Sequence, residues 1–311
     1  MNVLLTGGAG YIGSTLCEFL LKENYKVKVV DTFNYGFDSL NIYMHNPNFS
    51  VEKVDVRNFE KIKQLLKKQD VIIPLAALVG APLCNFKPKE AEEINFDSIQ
   101  NIINSISKDQ MLIYPTTNSG YGVSENQQFC TEDSPLNPIS IYGVTKVKAE
   151  EVVKEFESHI SFRLATVFGC SPRMRLDLLV NDFVYKSIFD KYVVLFEGHF
   201  KRNYIHIRDV CGAMVFAIKN FNNLKNQTFN LGLSTANLSK LELCEEIKKI
   251  NKEFTIISSE FGKDIDKRNY IVSNEKIEKA GFETKYTLQD GIKELSNFFK
   301  IFLPNEKMRN F

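Results

Sequence analysis

The stretch TGGAGYIG, Thr6 to Gly13, constrains this chain more than any other. It directly follows a candidate strand, NVLLT, and directly opens a run with apolar residues at helical spacing (Ile12, Leu16, Phe19, Leu20). Gly7, Gly10 and Gly13 give a G-x-x-G-x-x-G spacing, with Tyr11 and Ile12 between the last two. Glycine permits the tight turn and lets backbone approach a pyrophosphate. The helix N-terminus behind it offers free N–H groups and a partial positive charge. A glycine-rich turn without a ligand is the alternative, and the residues that follow weigh against it.

The second strand, KVKVVD, closes on Asp31, 18 residues after Gly13. A carboxylate there accepts hydrogen bonds from both ribose hydroxyls and repels a 2′-phosphate. No arginine flanks it, so the expected cofactor is NAD and not NADP. Asp55, followed by Val56, ends a third strand, SVEKVDV. An acid there either meets an adenine amine or simply caps the strand end. The fourth strand ends in PLAALVG, whose Leu75, Ala76 and Ala77 let backbone pass close to the cofactor.

VIIPLA, MLIYPTT and SFRLATVF read as further strands, with helices near 58–68, 90–106 and 140–157. This alternation predicts an α/β fold, a doubly wound parallel (Rossmann) sheet covered on both faces. After residue 169 the rhythm breaks. RNYIHI reads as a strand, with Asp209 capping the helix after it. Helices near 274–280 and 288–302 start after Ser273 and Thr287, both good N-caps. The expected division is a dinucleotide-binding domain, 1–169 plus about 204–235. A smaller C-terminal α/β substrate domain takes about 170–203 and 236–311.

Charge excludes one class of partner. Lys and Arg total 39 against 38 for Asp and Glu, and no basic run interleaves with aromatics, so no nucleic-acid partner is expected. No segment approaches a transmembrane helix and MNVLLTGG is no signal peptide, which predicts a cytoplasmic protein with no membrane partner. Six scattered cysteines without a CxxC pair then read as reduced thiols. Four histidines make no metal-ligand spacing, so no metal is expected.

SIYGVTK places Tyr142 and Lys146 four apart, on one face of a helix. A tyrosine that acts as a base near neutral pH must fall from pKa ~10 by about three units, roughly 4 kcal/mol. One unit charge about 4 Å away supplies about that at an effective dielectric near 20. Lys146 is expected to be that charge, with an oxidised nicotinamide adding another. Such a pair is common by chance on helices. It gains weight from following the glycine loop and the Thr117 strand end in order.

With these pieces, the chain resembles the extended short-chain dehydrogenase/reductase family, in its NAD-dependent epimerase/dehydratase branch. The matching pieces are TGGAGYIG, Asp31, DVRN, LAA, TTNSGYG, YGVTK, RLATVFG and RNYIHIRDV, running in order from residue 1 to about 215. The resemblance implies that Tyr142 deprotonates a sugar hydroxyl while hydride leaves the same carbon for NAD. Lys146 would hold the nicotinamide ribose and depress the Tyr142 pKa. Thr117, five residues before Gly122, would hydrogen-bond the reacting oxygen.

The residues after Thr117 narrow the chemistry. The family's 4,6-dehydratases carry Asp and Glu where this chain has Asn118 and Ser119, and neither of these is a useful acid or base at neutral pH. The 3,5-epimerase/reductases of the GDP-fucose type carry Cys at the Ser119 position. What remains is oxidation of a hydroxyl, usually at C4, with the hydride either returned to the other face or kept. Family substrates are nucleotide-diphosphate sugars. Arg202 and Arg268 match positions that bind the diphosphate, with Arg173 and Arg175 less secure, and a solvated surface arginine is the alternative for each. Thr166 replaces an Asn common in the family, which alters a sugar contact. Val79 and Gly80, with Ala81, are expected to line the sugar pocket, and Asn118 and Ser119 to touch the substrate.

LAALVGAPLC and RLATVFGCSPRMRLDLLVNDFV resemble a sub-branch of bacterial surface-polysaccharide enzymes, of the GDP-heptose 4-dehydrogenase type. A UDP-, dTDP- or GDP-hexose 4-epimerase is the alternative. A catalytically silent NAD-binding regulator is a remote one, since such proteins lose the Tyr or Lys. His206 is expected to be buried and structural, and Cys84 and Cys170 to do no chemistry. A homodimer or homotetramer is expected, with Ile99, Ile102, Ile103 and Ile106 either at its interface or packed on the sheet.

Overall fold

The computed structural model describes residues 1–124, 128–259, 268–304 and 308–310. The first half alternates as expected: β1 (Asn2–Thr6), α1 (Tyr11–Lys22), β2 (Lys26–Asp31), β3 (Phe49–Lys53), α2 (Phe59–Leu66) and β4 (Val71–Pro74). Three short helices follow, α3 (Ala81–Phe86), α4 (Pro88–Glu92) and α5 (Ser98–Ile103), then β5 (Met111–Thr117), β6 (Phe129–Cys130), α6 (Ile141–Lys154), β7 (His159–Leu164) and β8 (Thr166–Phe168). The remainder is α7 (Leu179–Phe189), β9 (Tyr192–Phe196), β10 (Lys201–His206), α8 (Ile207–Lys219), α9 (Phe221–Leu224), β11 (Gln227–Leu231) and β12 (Asn237–Ser239). It ends with α10 (Lys240–Ile250), β13 (Thr255–Ser259), β14 (Ile271–Val272), α11 (Glu275–Lys279) and α12 (Leu288–Ile301).

Seven parallel strands form the main sheet in the order β11-β7-β5-β4-β1-β2-β3. Alternation along β1 shows how both faces are covered. Val3 and Leu5 pack with Leu16 and Leu20 of α1 and with Val210 and Met214 of α8. Leu4 points the other way, into a cluster with Ile62 of α2, Ile99 and Ile102 of α5 and Val153 of α6. Ile99 and Ile102 thus pack on the sheet, and Ile103 and Ile106 lie partly buried against the same cluster. A second core joins Phe168 of β8, Val180 and Val184 of α7, Leu195 of β9, Leu243 and Ile247 of α10, and Ile292 and Phe299 of α12.

Several sequence expectations are corrected. SFRLATVF is two strands: β7 lies between β5 and β11, whereas β8 leaves the sheet and pairs with β10. An unbroken apolar run carries no punctuation to mark that crossing. β3 stops at Lys53, so Asp55 lies beyond the strand. The helix expected near 90–106 carries a π-helical turn over Glu93–Asp97, between α4 and α5. Asp209 does not cap α8. His206 does, and the Asp209 carboxylate instead accepts from the backbone N–H groups of Lys285 and Tyr286, at 2.8 and 3.1 Å. Asn274, not Ser273, is the N-cap of α11. Thr287 caps α12 as expected, with Asp290 completing a capping box. Among the described residues no helix is long and apolar enough to cross a membrane, and all six cysteines are free thiols.

Candidate active site

The C-terminal ends of β1, β2, β4 and β5 open into one cavity of about 1100 Å³, the usual ligand position for an open α/β sheet. Gly7 turns with φ +69°, and a Cβ there would stand 2.5 Å from the Ala76 nitrogen at the end of β4. A Cβ on Gly13 would stand 2.5 Å from the Gly8 Cα, so α1 can begin this close to β1 only without a side chain. Gly7→Ala is expected to destabilise the fold by about 2–3 kcal/mol, through a positive φ and a backbone clash together. A denaturant melt checks this, and an unchanged midpoint would refute it.

Gly10 differs from these two. It is the N-cap of α1, offers no side-chain cap, and its Cβ would meet only the Gly7 carbonyl, at 3.1 Å. The first intrahelical bond runs from the Ser14 N–H to the Gly10 oxygen, so the N–H groups of Tyr11, Ile12 and Gly13 precede the ladder and sit at the cavity wall. Donors and open room at a helix N-terminus fit a pyrophosphate. Asp31 sits beside this cradle. Its carboxylate accepts from the Ala9 and Phe33 N–H groups, at 3.0 and 2.8 Å. Burial raises its pKa, against those bonds and the charge of Arg173. These residues fit a nicotinamide dinucleotide.

All the residues expected at the cofactor end line this cavity, Val56, Leu75 and Ala77 among them. Two do so with qualifications. The Tyr11 side chain is buried and donates to the Gly169 carbonyl at 2.7 Å, so only its backbone serves the cradle. Asp55 is held by Arg57 at 2.7 Å, and that contact, above all, keeps its carboxyl below the ordinary carboxylate range.

At the other end, Ser140 caps α6 by accepting from the Gly143 N–H, which sets Tyr142 in the first turn and Lys146 one turn on. Burial raises the Tyr142 pKa and the Cys84 thiol adds to this. The Thr117 hydroxyl, by hydrogen bonding, and the charges of Arg268 and Arg175 oppose it. Lys146 is not the charge at the phenol that the spacing suggested. Its ammonium donates to the Pro115 carbonyl at 2.8 Å and lies 4.3 Å from the centre of the Tyr114 ring. Burial pushes its pKa down to about 7, only partly offset by Glu150.

Substrate-side expectations divide. Val79, Gly80, Ser119, Thr166, Arg175, Arg202 and Arg268 line the cavity. Asn118 does not. It is 1% exposed, because the 3₁₀ turn over Asn118–Tyr121 faces it into the protein. Arg173 lies at the Asp31 end. It donates to the Asn310 side chain at 2.7 Å and stacks on Tyr35 at 4.2 Å. An arginine 142 positions along the chain thus faces Asp31, where its sequence neighbours offered none. Arg175 is tied to Asp177 at 2.5 Å, and the guanidinium of Arg202 lies 5.7 Å from the Tyr270 ring.

His206 is 1% exposed, 2.7 Å from Glu294 and stacked on Tyr286, as a structural histidine should be. Burial pushes the Cys84 and Cys170 thiols up, to about 11 and 12, which leaves little thiolate for chemistry. Among the described residues no cluster of His, Cys, Asp and Glu could hold a metal.

Some site residues were missed from sequence. Asn95, in the π turn, accepts from the Leu78 N–H at 2.8 Å and donates to the Leu78 carbonyl at 3.0 Å, fixing the cavity wall. Lys240, at the start of α10, also lines the cavity. Neither residue carries a spacing or motif in the sequence that marks it as part of the site.

Comparison with known proteins agrees with this geometry. Residues 3–232 match the model of the NAD dependent epimerase/dehydratase family. A putative UDP-glucose 4-epimerase of Methanocaldococcus jannaschii is 25% identical, over 96% of this chain and 98% of that one. An uncharacterized UDP-glucose epimerase of Bacillus subtilis is 29% identical, over 75% of this chain and 77% of its own. Among solved structures, the UDP-glucuronic acid 4-epimerase of Bacillus cereus, in complex with UDP-glucuronic acid and NAD, superposes with a TM-score of 0.84. It is 25% identical, over 97% of this chain and 99% of that one. The matched stretch holds the whole glycine cradle together with Thr117, Tyr142 and Lys146, and this chain belongs to the NAD dependent epimerase/dehydratase family.

Proposed function

We propose that this protein is an NAD-dependent 4-epimerase of a nucleotide-diphosphate hexose. It oxidises the C4 hydroxyl and returns the hydride to the opposite face. The observation that carries the reading is the end of β5. Thr117 and Tyr142 meet there on the cavity wall, and Ser119 stands beside them where a dehydratase needs an acid. The names of the relatives support the epimerase outcome.

The bound NAD supplies the hydride acceptor. Tyr142 takes the proton of the C4 hydroxyl and gives it back after the sugar has turned. Thr117 holds the reacting oxygen in line with the phenol. Arg202 and Arg268 are assigned to the diphosphate, with residues of 170–203 and 236–311 forming the sugar-nucleotide side. Lys146 is assigned to the nicotinamide ribose.

A finer reading rests on the strings LAALVGAPLC and RLATVFGCSPRMRLDLLVNDFV: a GDP-heptose 4-dehydrogenase of surface-polysaccharide synthesis, from which the keto sugar departs. One experiment separates the two. NAD-loaded protein at stoichiometric concentration is mixed in turn with UDP-glucose, dTDP-glucose, GDP-mannose and GDP-heptose. Nicotinamide absorbance is followed and the product identified by NMR. A C4-inverted sugar without lasting NADH is the expected result. A keto sugar with accumulating NADH gives the dehydrogenase, and no reaction with any of the four overturns both substrate readings.

A further inference from the structure

Residues 308–310 come back to the cofactor end of the cavity. α12 stops at Ile301, yet Asn310 lines the same cavity as Asp31 and the glycine cradle. Two other stretches of the chain meet it there. Tyr35 follows β2 and Arg173 follows β8, and both line that cavity as well.

Direct contacts join the three. The Arg173 guanidinium donates to the Asn310 side-chain oxygen at 2.7 Å and to the Arg309 carbonyl at 3.3 Å. It stacks on the Tyr35 ring at 4.2 Å, and the Tyr35 hydroxyl donates to the Asn310 carbonyl at 3.5 Å. Arg173 is only 6% exposed, enclosed between an aromatic ring and the returning segment. Behind Asn310, the Met308 carbonyl accepts from the Leu176 N–H at 2.6 Å, and the Met308 side chain packs against the second core. The segment is thus anchored at Met308 and tied at Asn310.

We propose that Tyr35, Arg173 and Asn310 form a clasp on the adenosine end of the cofactor, and that NAD leaves only when residues 308–310 lift. The place follows from Asp31. Its carboxylate is the acceptor for the ribose, so the adenosine half of the dinucleotide lies where these three residues make the wall. A short segment tied by a few hydrogen bonds near the surface detaches at far less cost than the core unfolds. The clasp therefore sets how long the cofactor stays without closing the site for good. Residence matters for the two outcomes weighed above. A 4-epimerase restores its NAD in every turnover and gains from slow release, whereas a dehydrogenase must let NADH go.

The proposal rests on NAD occupying this end of the cavity, and its test separates the two ideas. NADH-loaded protein is mixed with excess NAD, and the loss of nicotinamide fluorescence gives the release rate. A chain ended after Pro304 is expected to release NADH about tenfold faster than the parent, and Asn310→Ala about threefold faster. The melting midpoint of NAD-free Asn310→Ala should match that of the parent. Release within about twofold of the parent in both variants would overturn the proposal. So would faster release that only tracks a lowered midpoint, since that marks a purely structural contact. Should the shortened chain fail to fold, the double variant Tyr35→Phe, Asn310→Ala cuts two of the ties at Asn310 and is judged by the same outcomes. A parent that takes up no NADH would overturn the cofactor assignment and the clasp with it, whereas unmoved release from loaded protein overturns the clasp alone.

Discussion

Tyr142→Phe is expected to lower nucleotide-sugar turnover by about a hundredfold to ten-thousandfold, the usual worth of a positioned general base. NAD binding should stay nearly unchanged. The two effects separate because they have separate origins in the fold. The phenol sits at the start of α6, against Thr117 at the end of β5. The cradle and Asp31 belong to β1, α1 and β2, at the other end of the cavity. Stopped-flow nicotinamide absorbance gives the chemical step and calorimetry gives NAD affinity. Surviving turnover would remove Tyr142 from its role, and lost affinity would mean the phenol also helps to hold the cofactor.

The second large effect is on stability. Arg163 and Glu150 are 2% and 1% exposed and lie 2.7 Å apart. Arg163 also donates to the Tyr121 hydroxyl at 2.9 Å and to the Glu132 carbonyl at 3.0 Å, and Tyr121 donates to the Asn230 side chain at 2.6 Å. Arg163→Met should cost about 3–5 kcal/mol, because it strands a buried carboxylate. The double change Arg163→Met, Glu150→Leu should recover much of that loss. Chemical denaturation of the two variants checks both statements. Burial works to raise the Glu150 pKa, but Arg163 and Lys154 hold it below the ordinary carboxylate value. Folding therefore gains from this group above the ordinary pKa, and loses the gain as pH falls through the lowered one. The parent should lose more stability than the double variant on acidification.

The parallel sheet was legible because each strand is a short apolar run followed by a helical period, and the cradle because its glycines sit between two such elements. The places where the reading failed share a cause. SFRLATVF reads as one strand because both of its halves are buried, and burial does not say in which sheet. Asn118 reads as a substrate ligand because a strand end suggests exposure, while a 3₁₀ turn rotates it inward. Arg173 and Arg268 reach their positions through tertiary contacts, with Asn310 and Tyr35 and with Ser119, and no spacing in the sequence encodes those distances. Lys146 shows the limit of charge arithmetic. The spacing places it one turn from Tyr142, but burial, only partly offset by Glu150, decides what charge it carries.

The late arrival of β11 has a consequence for biogenesis. Residues His159–Leu164 of β7 are all buried, with β11 as the outer neighbour, and β11 begins only at Gln227. Until then the growing sheet presents a strand whose outer backbone donors and acceptors are open, the kind of edge that recruits other chains. At ordinary rates of synthesis that interval lasts on the order of several seconds. A ribosome that stalls between β7 and β11 would release a sticky fragment.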